Sequence, residues 1–119
     1  MCMEISYKKP LEIELYERVG NRIKEVMSER LTINYLAQRL KDNSIFQSYN
    51  TARKFVIDMR NGYIGFLIKP NIKGDNAKTK VNLEKLAHLF SILGMDPNDD
   101  AVEIIRDTNP SFIYPLKKD

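Results

Sequence analysis

The chain has 119 residues, 43% of them hydrophobic, and carries a formal net charge of +3. That length and composition support one domain with a modest core and exclude a disordered chain. A single cysteine, Cys2, excludes an internal disulfide and points to a reducing compartment, the cytoplasm or one such as the mitochondrial matrix.

Charge is distributed unevenly. Residues 1–38 hold six basic and six acidic side chains, residues 39–85 hold ten and four, and residues 86–119 hold three and six. A positive middle beside a negative end favours a phosphate-rich partner, and the acidic C-terminal segment offers a surface to a protein partner. No apolar run approaches the roughly 20 residues of a membrane helix, so no membrane partner is expected.

In chain order, residues 1–10 form a lead-in with Glu4 and no apolar signal-peptide region, and residues 11–61 form a three-helix core. Residues 11–31 carry Leu11, Leu15, Val19, Ile23, Met27 and Leu31 every four positions, widened by Tyr16 and Val26, which predicts a long amphipathic helix. Pro10 fits just before its first turn. Gly20 inside it costs about 1 kcal/mol against alanine and permits close packing of another helix. Thr32 is suited to cap a second helix whose Ile33, Leu36, Ala37 and Leu40 face inward. Asn43-Ser44 ends it, and Ile45-Phe46 can fold back onto the core. A third helix spans residues 50–61, capped by Asn50, with Ala52, Phe55, Val56 and Met59 as its apolar stripe and Asn61-Gly62 as its stop.

Residues 62–81 read as a basic hairpin or loop. If the stretches 63–69 and 78–81 pair, Gly74-Asp75-Asn76 is the turn of a short β-hairpin; if not, the segment is a loop or extended arm. Two further helices fall in residues 82–107. Asn82 caps the first, whose Leu83, Leu86, Ala87, Phe90 and Leu93 face inward and which Gly94 ends. Asp96-Pro97 starts the second, which buries Ala101, Val102 and Ile105. Residues 108–119 form an extended tail anchored by Phe112, Tyr114 and Leu116. The fold class is mainly α, a compact helical domain with one short β-hairpin or extended arm.

No phosphate-binding glycine loop and no dinucleotide fingerprint occurs. Cys2 and His88 are the sole residues of their types, so no zinc site of the usual ligands can be built. Asp96, Asp99, Asp100 and Glu103 are explained by a first helical turn, where carboxylates oppose the positive helix end. No catalytic residue, metal site or cofactor is therefore expected. The candidate nucleic-acid contacts are Arg53, Lys54, Arg60, Lys69, Lys73, Lys78 and Lys80, which lie off the apolar stripe or surround the basic turn. Tyr49, Phe55, Tyr63 and Phe66 read as core aromatics rather than base-stacking surfaces.

Residues 52–65, ARKFVIDMRNGYIG, resemble the C-terminal domain of the circularly permuted ribosome-assembly GTPases, the bacterial ribosome-biogenesis GTPase A (YlqF) and its mitochondrial relatives. Ala52, Phe55, Arg60, Gly62 and Gly65 carry the likeness, which extends loosely over residues 12–68. The resemblance implies a helical module that contacts large-subunit ribosomal RNA, with no GTPase activity in this chain. Every nucleotide-binding motif is missing, and about fifty residues follow the matched region. Without the resemblance, residues 32–41 and 50–61 read as a helix-turn-helix and 63–81 as a wing, the arrangement of a winged-helix DNA-binding regulator. A third reading is a protein-interaction domain that docks a partner through the acidic tail and the Phe112–Tyr114 arm.

Overall fold

The computed structural model describes residues 8–27, 30–64, 76–109 and 112–116, with side chains from residue 14 in the first helix and residue 80 in the fourth. Five helices make up the regular structure among these residues: α1 Lys8–Val26, α2 Ile33–Asp42, α3 Tyr49–Arg60, α4 Asn76–Leu93 and α5 Asp100–Thr108. The mainly α fold class is what the apolar periodicity predicted. None of the helices is long and apolar enough to cross a membrane.

α2 and α3 form the most closely associated pair, α1 lies across α3 and α5, and α4 backs onto α2. The core they enclose holds Val19, Ile23, Leu36, Leu40, Val56, Met59, Leu86, Phe90 and Ile105, all fully covered. Every residue predicted to face inward from α3 and α4 does so. In α2, Leu36, Ala37 and Leu40 are buried, while Ile33 is half-buried against the core.

Three helices end alike. Behind α2, Ser44 N–H donates to Lys41 O and Ile45 N–H to Leu40 O, both at 2.9 Å. Behind α3, Gly62 N–H reaches Met59 O at 3.1 Å and Tyr63 N–H reaches Asp58 O at 2.9 Å. Behind α4, Gly94 N–H reaches Ser91 O at 3.0 Å and Met95 N–H reaches Phe90 O at 3.1 Å. This paired ending satisfies carbonyls that would otherwise be orphaned, and it needs a left-handed residue after the cap. Gly62 and Gly94 supply it with φ of 82° and 74°; in α2 Ser44 does so at 65°.

Gly20 permits the close approach expected of it. A Cβ placed there would lie 2.7 Å from Gly62 N and 2.8 Å from Arg60 O, so the main chains of α1 and the end of α3 nearly touch.

Several boundaries differ from the sequence reading. α1 starts at Lys8, so Pro10 lies inside its first turns, and it stops at Val26 because the chain must bend to bring Thr32 to the start of α2. Leu31 still packs on the core, from the position preceding the cap. The cap of α3 is Ser48, whose Oγ accepts from Thr51 N–H, and Asn50 is already helical. The cap of α5 is Asp99, not Asp96, which instead accepts from Asn98 N–H in a local turn at 2.7 Å. α4 begins at Asn76, not Asn82. Extending a helix is far cheaper than nucleating one, so the well-packed segment 83–93 propagates backward through residues 76–82, which hold neither glycine nor proline. Lys78 through Val81 are consequently helical and not the second strand of the proposed hairpin, while residues 65–75 of the proposed wing lie outside the described residues.

α5 is tied to α1 by ion pairs. Arg18 Nη2 meets both carboxylate oxygens of Asp100 at 2.8 and 2.7 Å, and Arg22 Nε meets both of Asp99 at 3.1 and 2.9 Å. The carboxylate of Asp99 is nearly covered and also accepts from Ala101 N–H at 3.1 Å, so it caps α5 and holds α1 together. Hydrogen bonds to Glu25 and Asp99 push the Arg22 guanidinium above its usual pKa.

The C-terminal arm folds inward. Phe112 and Tyr114 meet Phe90 edge-on at 6.0 and 5.9 Å between centroids, and both are buried. These rings belong to the core, and the aromatic arm proposed to dock a partner offers Ile113 instead. Tyr114 Oη donates to Met95 O at 2.7 Å, and burial, followed by the charges of Asp96 and Asp99, raises its pKa. A phenol whose pKa is higher folded than unfolded keeps its proton longer in the folded state, so stability falls as pH climbs from about 10 through the folded pKa. Tyr114→Phe is expected to cost about 1 kcal/mol at neutral pH and to make the alkaline loss shallower, read from urea midpoints between pH 7 and 11.

Candidate nucleic-acid interface

An open groove of about 420 Å³ lies where the start of α2 faces α3, lined by Met27, Thr32, Ile33, Asn34, Arg53 and Arg60. Its cationic wall follows from helix geometry. Arg53 and Arg60 are seven residues apart on α3, two turns on, so they share one bearing and stand about 10 Å apart along the axis. The apolar stripe of Ala52, Phe55, Val56 and Met59 fixes α3 against the core and leaves both arginines at the edge facing α2. Arg53 is exposed, and its Nε donates to Asn34 Oδ1 at 3.0 Å, which orients the guanidinium across the groove. Arg60 is half-buried, and its Nε is a covered donor with no acceptor among the described residues.

The facing wall is the N-terminus of α2. Thr32 Oγ1 accepts from Tyr35 N–H at 3.1 Å, and Thr32 O accepts from Leu36 N–H at 2.9 Å. The amides of Ile33 and Asn34 precede the first residue with an intrahelical acceptor, and the first turn contains no acidic residue. Two guanidinium groups and a positive helix end thus converge where, among the described residues, no carboxylate lines the space. A guanidinium fork matches a phosphate or carboxylate with two parallel N–H donors. A covered N–H left without an acceptor costs about 1–3 kcal/mol, which an anionic oxygen entering the groove would relieve.

Of the predicted contact residues, Arg53 and Arg60 come together. Lys54, one position from Arg53, points about 100° away and pairs with Asp58 at 3.1 Å on an exposed face. Lys80 is exposed on α4 and does not line the groove. Lys69 and Lys73 lie outside the described residues, as does the side chain of Lys78. Among the described residues no acidic C-terminal side chain lines the groove, and Asp99 and Asp100 hold Arg22 and Arg18 of α1. Among the described residues neither Arg53 nor Arg60 has a carboxylate within ion-pair distance.

Sequence reasoning missed Asn34 as a groove residue and assigned Thr32 a capping role only. The available signal was a Thr-Ile-Asn helix start whose first turn lacks acidic residues. It also took Tyr63 for a core aromatic, whereas 55% of it is exposed just beyond α3; Phe55 is buried as expected, Tyr49 is half-buried and Phe66 lies outside the described residues. Comparison with protein-family models, with curated proteins and with solved structures finds no match.

Proposed function

We propose that this chain is a non-catalytic nucleic-acid-binding module that takes RNA, with ribosomal RNA as the partner implied by the likeness of residues 52–65. The observation carrying this reading is the convergence of Arg53 and Arg60 on one groove, opposite the acid-free N-terminus of α2. Backbone phosphate is the ligand these donors suit, and phosphate contacts supply most of the affinity of such proteins. The six-residue connection 43–48 between α2 and α3 exceeds the three or four residues usual in a helix-turn-helix, which together with the helical conformation of residues 78–81 favours RNA over a duplex-DNA regulator.

The test is an anisotropy titration of the whole chain against a structured RNA hairpin and a DNA duplex, each at 50 and 200 mM salt. Tighter binding of the RNA is expected, with affinity falling as salt rises by a log–log slope of about −1.4 or steeper for two phosphate contacts. Tighter binding of the duplex would transfer the function to DNA. Salt-insensitive binding, or none, would overturn the nucleic-acid reading.

A further inference from the structure

We infer that the groove takes the terminal phosphate of an RNA strand, a phosphate monoester, in preference to a phosphodiester along its length. This rests on the RNA reading above and concerns the same site.

Each polar side chain lining the groove meets a ligand as a hydrogen-bond donor. Asn34 Oδ1 already accepts from Arg53 Nε at 3.0 Å, which leaves its Nδ2 amide as the end free for a ligand. Thr32 Oγ1 already accepts from Tyr35 N–H at 3.1 Å, and its own proton remains to donate. Arg53 keeps its two terminal nitrogens, and Arg60 adds a guanidinium whose covered Nε has no acceptor among the described residues. A neutral base edge or a sugar hydroxyl also needs acceptors from its site, whereas a fully ionised oxyanion needs donors alone.

Two positive charges line this space and, among the described residues, no carboxylate does. A backbone diester carries one negative charge and two free oxygens, with a sugar on either side. A terminal phosphate carries about 1.5–2 negative charges near neutral pH and three free oxygens, with a sugar on one side alone. It therefore matches the charge of the arginine pair and more of the donors. It also reaches a covered donor from which two flanking sugars would hold a diester away. At about 420 Å³ the groove has the size of a small-ligand pocket, roughly 300–1,000 Å³, so the end nucleotide enters whole. Met27 and Ile33, both packed on the core, give its sugar and base an apolar face. The charge of the end phosphate stands in for two backbone phosphates, so the salt dependence expected above is unchanged.

The experiment uses one internally labelled 12-nucleotide RNA strand in three forms: with a 5′-phosphate, with a 3′-phosphate, and with hydroxyls at both ends. The whole chain is titrated as wild type and as Arg60→Lys, with uridine 5′-monophosphate as competitor. One phosphorylated form is expected to bind wild type about tenfold more tightly than the hydroxyl form, and which one it is identifies the end. Arg60→Lys keeps the charge but loses the planar fork and the Nε donor. Its preference should shrink to within about threefold while the hydroxyl form binds as before. If all three forms bind wild type equally and salt still weakens them, the terminal-phosphate inference is refuted and the RNA reading stands. A preference that Arg60→Lys leaves intact refutes its placement in this groove. If the mononucleotide competes as well as the whole phosphorylated strand does, the rest of the strand makes no contact and the RNA reading falls. If no form binds, both fall.

Discussion

Changing Arg53 to glutamate and Arg60 to glutamine together is expected to lower RNA affinity on the order of a hundredfold at 100 mM salt. Each charge-assisted hydrogen bond contributes about 1.5–3 kcal/mol, so losing one strong contact from each arginine removes about 3 kcal/mol, or two decades. The log–log salt slope should also become shallower by about 1.4, since two phosphates are no longer neutralised. Wild type and variant should therefore converge at high salt. The fold should survive, because Arg53 is exposed and glutamine removes the unpartnered Nε donor of Arg60. Lys54→Ala is the matched control: it removes a neighbouring positive charge that lies outside the groove and already pairs with Asp58. Its affinity should stay within about threefold of wild type, since an exposed, screened charge contributes little to a localised contact. Equal losses in the two proteins would mean that net charge, and not the groove, governs binding.

The helical architecture was legible because it is written locally. Leu36, Ala37 and Leu40 in α2, and Ala52, Phe55, Val56 and Met59 in α3, repeat at the helical period and are all buried. Gly62 and Gly94 mark helix ends through the left-handed backbone they permit. Starts were harder to place where several capping residues compete. Ser48 and Asn50 are both competent; the extended backbone at Ser48 decides, and it is set by how Ile45 and Phe46 fold back onto the core. The same competition separates Asp96 from Asp99, where Arg22 of α1 favours Asp99 from 77 positions away in the chain. The extension of α4 to Asn76 overrode the expected start at Asn82 because a packed helix propagates cheaply.

The site was only half legible for the same reason. Arg53 and Arg60 stand out from the α3 stripe by periodicity, but nothing in their neighbourhood places the start of α2 opposite them. That pairing arises from the packing of α2 on α3, and it brings Asn34 to Arg53 across 19 positions.

Gly20→Ala is expected to destabilise the protein by about 2 kcal/mol, although alanine is the better helix former. The gain in helix propensity is about 1 kcal/mol. Against it stands a Cβ that would sit 2.7 Å from Gly62 N and 2.8 Å from Arg60 O, both main-chain atoms that cannot rotate aside. Overpacking of this kind costs about 1–3 kcal/mol when side chains can adjust, and the upper end applies where the backbone itself must move. A net loss of about 2 kcal/mol corresponds to a fall in melting temperature of about 8 °C for a chain of this size. Gly62 cannot relieve the clash by shifting freely, because its own left-handed φ of 82° closes α3 and its Cα position already faces Glu17 and Tyr16 across the contact. The last turn of α3 must therefore move as a unit, taking Arg60 with it. Gly20→Ala should accordingly weaken RNA binding under conditions where the variant remains folded, despite lying outside the groove, whereas Lys54→Ala should not. Unchanged stability in Gly20→Ala would mean that α1 and α3 do not meet main chain to main chain, and the position assigned to Arg60 would fall with that contact.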